Sequence, residues 1–266
     1  MSQGKGRKFL MCPPDYFELA YCINPWMKPE NKPLKELAEK QWQELYDTIC
    51  KLGGEVSLLE PVEGLPDLVF TANGGLVKGN KCVIPRFAHK ERQGEESVLR
   101  RWFESNGYEI YYDPLHAFEG EGDALFAGSR LIGGTGPRTR RESYAGIVKF
   151  LDVKELILCE LITEHFYHLD TCFCPLDGGK ALIYPQAFSS ESFTDLENTL
   201  DLYTVSKEDA HSFCCNAIVI DKNVVMASGS PDTERTLVAL GYNPVTVNLS
   251  EFQKSGGSAK CMALYL

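Results

Sequence analysis

Cys261 sits where a small, glycine-bearing loop, Ser255-Gly256-Gly257-Ser258-Ala259-Lys260, meets the apolar run Met262-Ala263-Leu264-Tyr265-Leu266. A terminus this apolar reads as a buried strand, so the thiol falls at the junction of a mobile loop and a rigid element. Such a junction suits a nucleophile; taken alone, the tail favours one more core thiol, because free cysteine is among the most buried residue types. A nucleophilic thiol needs a base or proton donor, and a partly buried histidine is the usual one. In Phe166-Tyr167-His168-Leu169-Asp170, the two-residue period of a strand puts His168 and Asp170 on one face, at the head of the apolar Cys172-Phe173-Cys174. His89, His116, His165 and His211 fall in loops or at element ends and read as surface residues.

Three further stretches place polar groups at predicted strand ends. Asp67 and Asn73 bracket an apolar segment; the alternative is turn chemistry, with Asp67 after Pro66 and Asn73 before Gly74. Glu119, Glu121 and Asp123 alternate with Gly120 and Gly122, so the backbone can approach closely and the acids can face a common cation. A metal is one candidate cation, although the ligand spacing of known metal loops is missing there, and a solvated acidic turn is the bland alternative. Gly136-Pro137-Arg138-Thr139-Arg140-Arg141 is a basic turn in an acidic chain: it either holds a carboxylate by bidentate hydrogen bonds or simply starts the next helix.

The elements that must position these groups recur about every fifty residues as strand, turn, strand, helix, strand. The first unit runs Lys8 to Met11, a helix over Pro33 to Leu52 with Leu34, Leu37, Ala38, Trp42, Leu45 and Ile49 on one face, and Glu55 to Leu59. The second has a hairpin of Leu68 to Val77 and Lys81 to Arg86, a helix carrying Val98, Leu99, Trp102 and Phe103, and Glu109 to Tyr112. The third has Ala124 to Ala127, Leu131-Ile132, a helix from Glu142 to Leu151 and Glu155 to Cys159. The fourth has Cys172 to Cys174, Ala181 to Tyr184, a helix over Phe193 to Leu200 and Leu202 to Val205; the fifth has Ala217 to Ile220, Val224 to Ala227, Pro231 to Leu240 and Val245 to Val247. Five such units without a linker or polar capping repeats predict one α/β domain over 1–266, closed as a pseudo-symmetric ring. The first unit lacks its hairpin partner, which Met262 to Leu266 can supply, bringing Cys261 near the axis.

A net charge of -10 argues against nucleic-acid binding and favours cationic small molecules. Of ten cysteines, with no Cys-x-x-Cys among them, most read as small core residues in a reducing compartment. No apolar run approaches the roughly 18 to 20 residues that span a bilayer, and Met1 to Lys8 lacks the apolar core of a secretory signal. The expectation is a cytoplasmic protein with no membrane partner; assembly into homo-oligomers is left open.

In this order along nearly the whole chain, Pro66 to Asn73, Glu119 to Asp123, His168 with Asp170, and Ser255 to Met262 resemble the hallmarks of the guanidine-modifying enzymes of the five-bladed α/β propeller (pentein) superfamily. Tyr21-Cys22-Ile23-Asn24-Pro25-Trp26-Met27, Phe70-Thr71-Ala72-Asn73 and Phe118 to Asp123 most resemble the arginine dihydrolases, which convert arginine to ornithine, ammonia and carbon dioxide. Dimethylarginine dimethylaminohydrolase is the runner-up, although it normally has an acid where Asn73 stands. Larger dihydrolases carry a further C-terminal domain, expected to be absent from this chain.

The resemblance implies catalytic roles for Cys261, His168 and Glu119, with Glu121 as the alternative acid. It implies substrate binding by Asn24, Asp67, Asn73, Arg86, Asp123, Arg138 and Asp170, with Glu119 and Asp170 on the guanidinium and Arg86 or Arg138 on the carboxylate. It implies neither metal nor cofactor, because a bound guanidinium brings its own positive charge to the thiol. An amide at Asn73 offers both a donor and an acceptor to a neutral ureido group, which a carboxylate does not, and so would let citrulline be hydrolysed in turn. Amidino transfer to an amine, and a silent propeller that only binds arginine, are the competing expectations.

Overall fold

A computed structural model of the chain describes residues 7–266; Met1 to Gly6, most of the segment read above for a secretory signal, lie outside the described residues. In chain order the elements are β1 (Lys8–Met11), α1 (Lys35–Lys51) and β2 (Glu55–Leu58), then β3 (Leu76–Lys78), β4 (Lys81–Val83), α2 (Gln93–Ser105) and β5 (Glu109–Tyr111). Next come β6 (Ala124–Ala127), β7 (Arg130–Thr135), α3 (Ser143–Phe150) and β8 (Leu156–Glu160), then β9 (Phe173–Pro175), β10 (Lys180–Ile183), α4 (Ser190–Glu197) and β11 (Asp201–Thr204). The last stretch holds α5 (Lys207–His211), β12 (Ile218–Ile220), β13 (Asn223–Ala227), α6 (Pro231–Ala239), β14 (Asn243–Val247), α7 (Ser250–Gln253) and β15 (Leu264–Tyr265).

These strands form five three-stranded sheets. In each, a middle strand pairs antiparallel on one side and parallel on the other. Two antiparallel strands can be joined by a tight turn, whereas a parallel return needs a crossover of a dozen or more residues. That is why a helix stands between the middle and last strand of every unit. The first sheet takes its antiparallel strand from the other end of the chain: Phe9 faces Tyr265 and Leu10 faces Leu264, as the apolar tail predicts.

Helix α1 buries Ala38, Trp42, Leu45 and Ile49, the stripe expected at helical spacing. It stops where Gly53 takes φ +90 and Gly54 N–H returns to the Ile49 carbonyl at 2.9 Å. Leu37, expected on the stripe, is exposed, and Leu34 departs from it as well. The Leu34 N–H is held by Glu251 Oε2 at 2.6 Å, its backbone is extended, and its side chain is exposed.

The residues expected at strand ends lie instead on short 3-10 turns: Pro66–Val69, Thr71–Gly74, Gly120–Gly122, Leu169–Thr171 and Lys260–Met262. The predicted strands over Leu68 to Val77 and Met262 to Leu266 therefore shorten to β3 and β15. A brief apolar run cannot distinguish a buried turn from a strand.

The contacts divide into two compact units, Met1–Thr71 with Val205–Leu266 and Ala72–Thr204. The first holds sheets β15-β1-β2 and β12-β13-β14, and its core includes Phe9, Leu45, Phe70, Phe252, Cys261 and Met262. The second holds the other three sheets, with Leu76, Phe118, Leu131, Tyr144 and Ile147 in one of its clusters. Each such fully buried side chain contributes on the order of 2 kcal/mol. Among the described residues, no helix is long and apolar enough to cross a membrane.

Candidate active site

Within the second unit, Glu119, Asp123, Arg138 and His168 form one buried cluster. Glu119 Oε2 meets His168 Nε2 at 2.7 Å and accepts from Arg138 at 3.1 Å, while Oε1 accepts the Ala88 N–H. The turn that aims Glu119 depends on Gly120. It has φ +59, and a Cβ there would lie 2.7 Å from the carbonyl oxygens of Ala72, Asn73 and Gly75. Gly122 has the same function for side chains, since its Cβ would fall 2.2 Å from Asn73 Nδ2 and 3.2 Å from the His168 ring.

Thr139 links the two acids: its Oγ1 accepts the Glu119 N–H at 3.0 Å and donates to Asp123 Oδ2 at 2.6 Å. Asp123 Oδ1 accepts the Leu169 N–H at 3.1 Å, which ties the turn after His168 to the acidic turn. Tyr144 Oη closes the network on the Asp123 and Gly134 carbonyls.

Burial disfavours both charges, and the neighbours decide differently for each. For Glu119, burial is outweighed by the Arg138 charge, by the hydrogen bond and charge of His168 and by Arg92, so its carboxyl is held well below the usual carboxylate range. For Asp123, burial prevails over His168 and Thr139, and the carboxyl is pushed up to about 6.

Asn73 Oδ1 accepts from Arg92 at 2.7 Å, and Nδ2 reaches the Glu119 carbonyl at 3.4 Å. Arg92 is itself fixed by a bidentate pair with Glu95, both bonds at 2.8 Å, and by stacking on Phe87. Of the two arginines expected to bind a carboxylate, Arg138 is buried against Glu119 with its guanidinium over Tyr167, whereas Arg86 is half-exposed and pairs with Glu96. Glu121 is buried on the same turn, where, after burial itself, its charge raises the Cys82 thiol. Asp170 is fully buried beside His168 on the Leu169–Thr171 turn. His89 is not a plain surface histidine. It is half-buried and titrates below its ordinary value because of burial, then of the Arg138 charge.

The first unit holds Cys261, Asp67 and Asn24. Cys261 Sγ accepts from Asn216 Nδ2 at 3.0 Å, and its N–H donates to Asn216 Oδ1 at 3.1 Å. Thr71 Oγ1 lies 2.9 Å from the Met262 carbonyl and 2.7 Å from that of Leu10, fixing the cysteine turn to β1. Buried Asp67 accepts from Tyr21 Oη at 3.0 Å. Asn24 ties its own loop together by accepting the Trp26 and Met27 N–H groups, and its Nδ2 donates to the Ser255 carbonyl of the cysteine loop.

Sequence reasoning missed Asn216, Arg92 and Thr139. Only Thr139 lay within a stretch already singled out; Arg92 and Asn216 reach their partners from 19 and 45 positions away, with no periodic signal. Among the described residues, no group of three or more His, Cys, Asp and Glu is arranged to hold a metal ion.

Five sheets of one strand order, with acid, histidine and thiol on the turns that enter them, define the five-bladed α/β propeller class of guanidine-modifying proteins. Residues 14–266 match the family described as N,N dimethylarginine dimethylhydrolase, eukaryotic, and the chain belongs to that family. It is 45% identical over 264 residues to the bifunctional arginine dihydrolase/ornithine cyclodeaminase AgrE of Nostoc sp., covering 97% of this chain and 37% of that protein's length. It is 39% identical to the N(G),N(G)-dimethylarginine dimethylaminohydrolase of Mycobacterium tuberculosis, covering 97% of this chain and 85% of the relative. The N-terminal domain of ArgZ, a cyanobacterial arginine dihydrolase solved with substrate bound, superimposes with a TM-score of 0.94 at 42% identity, covering 97% of each chain.

Proposed function

We propose that the chain is a single catalytic domain over 1–266, working in the cytoplasm without metal or cofactor as a cysteine-dependent hydrolase of the arginine guanidinium. The observation that carries this is the buried His168–Glu119 hydrogen bond beside the Arg138 guanidinium. It is a proton-transfer pair whose carboxylate is ionised and already accommodates a guanidinium. The relatives that bind arginine or hydrolyse its methylated form support the choice of substrate.

In this reading the Cys261 thiolate forms a bond to the guanidinium carbon, and His168 protonates the departing nitrogen, which leaves as ammonia. The product of that step is an amidino-thioether on Cys261. His168, now neutral, takes a proton from water as the oxygen adds to the same carbon, and expulsion of the thiolate releases citrulline. A second round on the ureido group consumes one more water and yields ornithine, ammonia and carbon dioxide. Glu119 orients His168 and, with Asp170, offsets the guanidinium charge. Arg138 or Arg86 takes the substrate carboxylate, and Asn24, Asp67 and Asp123 shape the remainder of the site.

Asn73 decides between one round and two. Arg92 occupies its Oδ1 and one Nδ2 hydrogen is directed at the Glu119 carbonyl, so the amide presents its other Nδ2 hydrogen as donor toward a ureido oxygen. The test is a panel of arginine, its mono- and dimethylated forms and agmatine, followed by mass spectrometry for ammonia, citrulline and ornithine. Ornithine from wild type and citrulline from Asn73→Asp is the expected pattern; citrulline alone from both proteins would rule out the two-round reading. The family match favours a second reading, hydrolysis of dimethylarginine, which the same panel detects as dimethylamine.

A further inference from the structure

One amide side chain bonds both the Cys261 sulfur and the backbone beside it. Asn216 Nδ2 donates to Sγ at 3.0 Å while Oδ1 accepts the Cys261 N–H at 3.1 Å. The second bond determines the first: because a backbone N–H must face the oxygen, the group left for the sulfur is the nitrogen donor. Both residues are buried, and the amide is fixed from behind, with Asn216 N–H on the Phe213 carbonyl and its own carbonyl accepting the Lys260 N–H. Phe213 takes φ +62 to make that turn, a conformation side-chain-bearing residues avoid.

A donor aimed at sulfur is chemically one-sided. It binds a thiolate about twice as strongly as a neutral thiol, since charge-assisted hydrogen bonds are about that much stronger. Ionisable groups on the segments around it include Lys260, Cys214 and Cys215, and buried Asp67 lies on the Pro66–Val69 turn, whose Val69 shares the core cluster of Cys261. The Lys260 ammonium is directed to the Ala263 carbonyl at 3.0 Å and over the Tyr265 ring, and the Cys214 and Cys215 sulfurs lie 4.0 Å apart on the turn before Asn216.

We propose that Asn216 is a positioning residue for the nucleophile, aiming the Cys261 sulfur and stabilising it as the thiolate. The assignment rests on the reading of Cys261 as the nucleophile given above. Asn216 would then set how much of the enzyme is reactive before any cationic substrate arrives.

The experiment compares wild type, Asn216→Ala and Asn216→Asp, each against its own Cys261→Ser counterpart. Thiolate absorbance near 240 nm is followed against pH, together with kcat/KM for arginine and the melting temperature. Asn216→Asp is isosteric and keeps an oxygen for the Cys261 N–H, but it sets a carboxylate oxygen against the sulfur. The thiol titration is expected to move up by about one unit in Asn216→Ala and further in Asn216→Asp. At neutral pH kcat/KM is expected to fall by about ten- to a hundredfold, recovering toward high pH. An unchanged thiol titration in both variants, whatever happens to the melting temperature, overturns the proposal. Should Asn216→Ala not fold, Asn216→Asp and Asn216→Ser carry the comparison. Full arginine hydrolysis by Cys261→Ser would overturn the nucleophile reading, and it is distinguishable because the titration reports the Asn216–Cys261 bond independently of turnover.

Discussion

Glu119 and Asp123 are four residues apart, equally buried and bridged by one threonine, yet they titrate in opposite directions. The difference is Arg138, which stands on Glu119. Glu119→Gln removes the carboxylate beside a buried guanidinium, and breaking such a pair costs about 3–5 kcal/mol. Thermal denaturation should register that loss, alongside a drop in kcat/KM of about a hundredfold or more as His168 loses its orienting partner.

Asp123 gives a pH signature of the other sign. Its carboxyl is raised from 3.8 to about 6, so the fold favours the protonated form. The stability this contributes is complete below about pH 4 and is lost as the pH rises through about 6. Two units correspond to roughly 3 kcal/mol. The contribution of Glu119, held low, is present above the ordinary carboxylate range and is lost as the pH falls. Urea denaturation of wild type and Asp123→Asn from pH 4 to 7 should therefore show a fall in the wild type that is absent in the variant. Parallel curves would refute this account of Asp123.

At the scale of elements, short glycine-bearing turns place Asn73 and the acids of the second unit. Gly120 combines a positive φ with three backbone oxygens at 2.7 Å, none of which can swing aside. Gly128, in the β6–β7 hairpin, has a similar φ of +68 but nothing within 4 Å. Gly128→Ala should cost about 1 kcal/mol, the conformational term alone. Gly120→Ala should cost about 3 kcal/mol or more and abolish turnover by displacing Glu119. Equal effects in denaturation and activity assays would mean that the close approach is unimportant. The acid-glycine alternation was visible in the sequence as a place where backbones could come close. That it forms a 3-10 turn was not visible, since three residues are too few to show a period.

For the molecule as a whole, the testable feature is the pairing of the two ends of the chain. β15 supplies two register pairs to β1, the Leu266 N–H bonds to the Lys8 carbonyl at 2.9 Å, and the Phe9 and Tyr265 rings lie 5.1 Å apart. Truncation after Ala263 removes fully buried Leu264, worth about 2 kcal/mol by itself, and exposes one edge of β1. Hydrogen exchange should show lost protection at Phe9 to Met11, while the β6–β7–β8 sheet, in the other unit, keeps its own.

The sequence by itself determined the order of the five units, the helix in each crossover, the return of the tail to the first strand, and the acid, histidine and cysteine worth testing. Those follow from periodicity, from the length a parallel connection demands and from composition, all of which are local or one-dimensional. Only the tertiary structure decided that Arg138 rather than Arg86 stands on Glu119, that Arg92 orients Asn73, and that Asn216 holds the Cys261 sulfur. Each of these depends on where a turn aims a side chain relative to a partner 19 to 45 residues away, and neither residue type nor spacing encodes that direction.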